Sequence, residues 1–157
     1  MRARHSGFTL IEVVVTVAII GLLASIAAPL TATVVRRGQE QELKAALMTL
    51  RNAIDSYKEA LDAGRIERSL DDTGYPRSLQ VLVDGVTDQR SPKGAKIYFL
   101  RRIPRDPFSD PALAPARSWG LRAYDSPPDA PREGRDVYDV YSRSEGQALD
   151  GTRYRDW

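Results

Sequence analysis

The sequence predicts an α+β chain, in which one long N-terminal helix packs on a small antiparallel sheet. Three observations point there. Residues 8–28 read FTLIEVVVTVAIIGLLASIAA, with Glu12 as the single ionisable side chain. Leu43, Leu47, Leu50, Ile54, Tyr57 and Leu61 then recur at alternating steps of four and three, the stripe of a helix that buries one face. From Trp119 onward the pattern turns to β-branched and aromatic residues between turn-forming clusters.

The first element is the apolar run. At about 1.5 Å per residue it is long enough as a helix to cross the ~30 Å apolar core of a bilayer, so residues 8–35 read as a transmembrane helix. Arg2 and Arg4 flank its start and belong on the cytoplasmic side. Arg36 and Arg37 follow its other end and blunt that bias, although large domains translocate regardless of charge. An unpaired carboxylate at Glu12 costs about 2.5 kcal/mol or more in lipid, so it calls for a cation. A cut between Gly7 and Phe8 would supply one, the new α-amino group of Phe8 on a neighbouring copy. Two other readings compete. A secretory signal peptide cleaved around residues 24–28 is one, and Glu12 inside its apolar region argues against it. A plain membrane anchor with an incidental glutamate is the other.

Pro29 and Gly38 are predicted to loosen the helix, which continues to about Ala63 with Gly64 as its cap. Lys44, Arg51, Asp55, Lys58 and Asp62 form its polar face, so the second half needs a domain on one side only. A coiled coil is the alternative, over barely three heptads. Residues 65–74 are a polar link. Gly74-Tyr75-Pro76 is turn chemistry, and Ser78 is placed to cap a short helix through Leu79, Leu82 and Val83 that ends near Gly85. Residues 91–94 read as another turn. Arg101, Arg102 and Arg105 suggest a phosphate site, but Asp106 and Asp110 offset them and a solvated loop is the reading preferred. Residues 119–124 and Val137, Tyr138, Val140 and Tyr141 are two strands, and residues 153–157 are a candidate third.

Composition narrows the chemistry. The chain has no cysteine, which excludes disulfides, a thiol nucleophile and thiolate metal sites. Its one histidine, His5, lies in the segment that the cut would remove, and a catalytic triad or His general base leaves with it. An enzyme is therefore not expected. The 23 basic and 21 acidic residues become 21 against 21 once Arg2 and Arg4 are gone, so no nucleic-acid footprint is expected either.

The basic leader, Gly7, Phe8-Thr9-Leu10-Ile11-Glu12 and the apolar helix carrying Pro29 resemble the class III signal of type IV pilins and type II secretion pseudopilins. That resemblance implies cleavage by a prepilin peptidase after Gly7, N-methylation of Phe8, and a requirement for Glu12 in filament assembly. It also implies a pilin-like fold with three parts: leader 1–7, transmembrane and assembly helix 8–35, and head 36–157. Gly74-Tyr75-Pro76, residues 98–108 and Asp139-Val140-Tyr141-Ser142 are similar to the major pseudopilin of type II secretion systems. This second resemblance implies a filament of copies that drives protein export across the outer membrane, with other pseudopilins and an inner-membrane platform as partners. The subunit would sit first as a single-pass inner-membrane protein with a periplasmic head, then in a periplasmic pseudopilus. A type IV pilus subunit for adhesion, motility or DNA uptake is the alternative, which the later motifs and the lack of cysteine disfavour. Family members commonly hold Ca²⁺ in the C-terminal loop, and Glu145, Asp150 and Asp156 are the candidate ligands here. The loop is shorter than the family's, and the same acids read equally as ordinary loop residues.

Overall fold

The computed structural model describes residues 9–69 and 72–157, apart from the side chains of residues 26–30. Helix α1 spans Leu10–Asp62, 53 residues. It runs through Pro29 and Gly38 as one helix, the continuous element expected from the sequence. Proline removes only one backbone donor, and the intact turns on either side carry the helix across. The chain divides after Gly38 into two compact units. The first holds the described part of the apolar run, whose side chains at 10–25 are all exposed. Among the described residues no helix is long and apolar enough to cross a membrane. The expected span, residues 8–35, falls partly outside the described residues.

The second unit, Gln39–Trp157, contains the core. Leu43, Leu47, Leu50, Ile54, Tyr57 and Leu61 are all buried, together with Leu79, Leu82, Trp119, Val137, Val140 and Tyr154. The stripe is therefore consumed within this unit and forms no coiled-coil seam. Gly64, at φ +67°, ends α1, and the amide of Arg65 bonds back to the carbonyl of Ala60. Helix α2 is Leu79–Asp84. Ser78 sits at its N-cap with extended backbone, but its side chain makes no capping bond; its carbonyl accepts from Val81 instead.

Strands β1 (Val86–Thr87) and β2 (Lys96–Ile97) pair antiparallel around the turn at 91–94, a ribbon that the sequence pattern does not announce. Strands β3 (Trp119–Arg122) and β4 (Asp139–Ser142) pair antiparallel with Trp119 opposite Ser142 and Arg122 opposite Asp139. Val140 and Ser142 point into the core while Asp139 and Tyr141 stay half-buried, the alternation of a one-sided sheet. The third strand expected at the C-terminus is instead a 3₁₀ turn, Tyr154–Asp156, beside a lone bridge between Gln147 and Arg153. The turn lets the Tyr154 ring drop inward, where it stacks on Phe108 at 4.1 Å.

The 101–108 segment also departs from expectation. Asp106 does not offset the arginines: it is 1% exposed, and accepts from Phe108 N at 2.8 Å and Ser142 Oγ at 2.6 Å. Arg105 turns to the carbonyls of Asp110, Pro111 and Leu113. The indole N–H of Trp119 donates to Pro104 O at 2.8 Å, which fixes the segment on the core.

Candidate assembly site

Gly7 and Phe8 lie outside the described residues, so the expected cut and methylation have no geometry here. The site begins at Thr9. Its hydroxyl and carbonyl oxygens both accept from Glu12 N, at 3.3 Å and 3.1 Å, which makes Thr9 the cap of α1. Thr9-Leu10-Ile11-Glu12 thus has capping-box spacing, a signal that the sequence carries in addition to its apolar pattern. Glu12 stands exposed in the first helical turn, where the helix dipole favours a carboxylate.

Around and beyond Glu12 the surface is apolar. Leu10, Ile11, Val17, Ile20, Leu22 and Leu23 are each more than 60% exposed. The hydroxyls in this stretch are satisfied locally: Thr16 donates to the carbonyls of Glu12 and Val13, and Ser25 to that of Leu22. The result is an apolar rod with one carboxylate near its amino end. Such a rod gains free energy only by entering lipid or meeting other apolar helices.

The C-terminal loop is built differently from a metal site. Asp150 accepts from the amide of Thr152 at 2.9 Å and its hydroxyl at 2.6 Å, which holds its carboxyl below the usual aspartate range. Asp156 takes both bonds of Arg153, at 2.8 Å and 3.3 Å. Glu145 stands exposed. Among the described residues no group of three or more acidic, histidine or cysteine side chains is placed to hold a metal ion. Glu145, Asp150 and Asp156 form no such group, and Asp150 and Asp156 turn their oxygens to Thr152 and Arg153. The loop is tied instead by Glu40 on α1, whose Oε1 accepts from Leu149 N at 2.8 Å and Tyr154 Oη at 3.0 Å. Trp157 closes the edge, with its N–H on Thr152 Oγ1 at 2.7 Å and the Lys44 ammonium 4.3 Å from its ring. Sequence periodicity places Glu40 beside the buried stripe but gives no sign of this role.

Comparison with known proteins bears on the N-terminal end first. Residues 2–28 match the family described as the prokaryotic N-terminal methylation motif. Type II secretion system core protein G of Aeromonas hydrophila is 32% identical over 114 residues, covering 70% of this chain and 72% of that protein. Its counterpart in Pseudomonas aeruginosa is 30% identical, covering 86% of this chain and 92% of its own length. The chain belongs to the type II secretion system core protein G family. The counterpart in Escherichia coli agrees, at 32% identity over 70% of this chain and 72% of its own. No solved structure matches the chain. Core protein G relatives thus align along most of the sequence, and the methylation motif covers the same Gly7, Phe8 and Glu12 that the sequence singles out.

Proposed function

We propose that this chain is a structural subunit of a type II secretion pseudopilus, polymerising through its N-terminal helix to drive protein export across the outer membrane. The observation that carries the reading is the exposed apolar rod at residues 10–25 with Glu12 near its amino end. Residues 1–7 are the leader removed by a prepilin peptidase. Residues 8–35 hold the new subunit in the inner membrane as a single pass and later form the filament core. Residues 36–157 are the periplasmic head. Pairing of Glu12 with the α-amino group of Phe8 on a neighbouring copy neutralises both charges as they enter the apolar core. Repeated head-to-tail contacts of this kind generate an open helical filament. Other pseudopilins and the inner-membrane platform are the remaining partners, and no catalytic role, bound metal or nucleic acid is part of the proposal.

Glu12→Gln tests it. The amide keeps the size and removes the charge, so the chain should insert and fold as before while filament yield and export fall at least ten-fold, the equivalent of about 1.4 kcal/mol per added subunit. Wild-type filament yield from the variant would remove Glu12 from the assembly contact.

A further inference from the structure

Val140 and Ser142 enter the core, so Asp139 and Tyr141 share the opposite face of β4, about 7 Å apart along the strand. That face lines an open cleft of about 640 Å³, which lies wholly within the Gln39–Trp157 unit. Four arginines line the same cleft: Arg51 from α1, Arg122 from β3, and Arg153 and Arg155 from the C-terminal segment. Their charges are not all met. Asp156 takes both bonds of Arg153 and neutralises it. Arg51 and Arg122 share one carboxylate, Asp139, at 2.8 Å and 3.6 Å. Arg155 has no carboxylate at ion-pair distance among the described residues, and its guanidinium lies 5.7 Å from the Tyr141 ring. Tyr141 in turn lies over Gly120, where no side chain separates the ring from the strand. The cleft thus has two stations along β4, each with one positive charge in excess: Arg51 with Arg122 at Asp139, and Arg155 at Tyr141. Asp129 also lines the cleft, with no ion pair among the described residues, which disfavours a long acidic run there.

An extended peptide advances about 3.3 Å per residue and sends alternate side chains to one side, so acids two positions apart span the distance between these stations. Guanidinium groups bind carboxylates through paired, charge-assisted hydrogen bonds, and arginine clusters are a recurrent means of reading acidic motifs. We propose that the cleft binds an extended acidic segment of another protein, an acid-x-acid sequence whose two carboxylates meet Arg51 and Arg155. Tyr141, Trp157 and the two prolines of the cleft, Pro128 and Pro131, give its apolar neighbours a surface to rest on. A single small anion would answer one station and leave most of the cleft empty. A second copy of this chain is disfavoured by its own sequence. Among its 21 acidic residues only Glu40 and Glu42 have the required spacing, and both lie on α1, where residues two apart do not share a face. The inference stands apart from the filament reading, since every residue in it belongs to the Gln39–Trp157 unit.

The test is fluorescence anisotropy of labelled, end-blocked peptides titrated with the full chain in a non-ionic detergent. One probe is Gly-Glu-Thr-Glu-Thr-Leu-Gly, and its isomer Gly-Glu-Glu-Thr-Thr-Leu-Gly has the same charge with the two acids adjacent. The first should bind about ten-fold more tightly than the isomer, the worth of one charge-assisted hydrogen bond. Arg155→Gln should weaken the first peptide by about the same factor and leave the melting temperature unchanged, since that side chain is exposed and outside the core. Arg51→Gln should weaken it similarly, and Arg155→Gln keeps the test intact if loss of the Asp139 pair unfolds the Arg51 variant. Absence of binding, equal binding of the two isomers, or wild-type binding by the Arg155 variant overturns the proposal. So does displacement of the peptide by inorganic phosphate at matched ionic strength, which would mean a site for a free anion. A chain that is dimeric in detergent and is split into monomers by the peptide would hold a second copy in the cleft, and that overturns it too.

Discussion

Tyr141 lies against Gly120 across the β3–β4 pair, so close that a Cβ on Gly120 would sit 2.3 Å from its ring. Gly120→Ala must therefore push the ring off the sheet, and should destabilise the chain by about 1–3 kcal/mol in urea unfolding. Unchanged stability would mean that the ring swings aside freely. A strand glycine hints in sequence at a close approach, but it does not name the side chain that approaches. Charge at this scale is also testable. Asp88 accepts from the Arg65 guanidinium, at 2.7 Å, and from the amide of Arg90, and these hold its carboxyl below the usual aspartate range. Asp150 is lowered in the same direction by Thr152. Both folded values lie below the unfolded ones, so their stabilisation is full at neutral pH and is lost as the pH falls through the aspartate range. The melting temperature should drop between about pH 5 and pH 2, and Arg65→Gln should shallow that fall. An identical acid profile for the variant would remove Asp88 as a contributor.

The elements legible in sequence were those with a long period or a turn at each end. The stripe from Leu43 to Leu61 announces a buried helix face, and Gly64 and Gly85 announce two helix ends. The β1–β2 ribbon was not legible, because two residues on each side carry no periodicity. The C-terminal segment misled for a related reason. Aromatic residues at Tyr154 and Trp157 read as strand, while Tyr154 is held by Phe108 and Glu40 and Trp157 packs on Tyr154 and Lys44, partners mostly far away in sequence. The resemblance suggested calcium in this loop; two of the three candidate acids, Asp150 and Asp156, are engaged with Thr152 and Arg153. Calcium or a chelator should therefore leave the melting temperature unchanged. A rise with calcium, by linkage to the folded state, would show that the acids regroup around the ion. Glu40→Ala should by contrast destabilise the chain by about 1 kcal/mol, since it leaves the Tyr154 hydroxyl and the Leu149 amide without their acceptor.

For the whole molecule, family and fold class could be read from the sequence because its two ends are so unlike: an uninterrupted apolar run with one carboxylate, then a head patterned for burial on one side. Processing belongs to this scale, since on the proposed reading it would convert a membrane-inserted precursor into a subunit able to assemble. Mass spectrometry of the mature protein should find its N-terminus at Phe8, heavier by one methyl group. A terminus near residues 24–28 would mean that the apolar run is discarded, and the filament reading would fall with it. The bonds from Glu40 to Leu149 and Tyr154 join residues 109 and 114 positions apart, and that separation sets a timetable. At a synthesis rate of roughly 5–20 residues per second, the start of the head helix is made about 5–20 seconds before the loop that covers it. During that interval the core cluster that holds Leu43 and Leu47 lacks its C-terminal members, Ala148 and Tyr154. The newborn head is thus most adhesive before its last residues arrive, and a chain stalled short of Tyr154 is a natural client for whatever holds unfinished proteins apart.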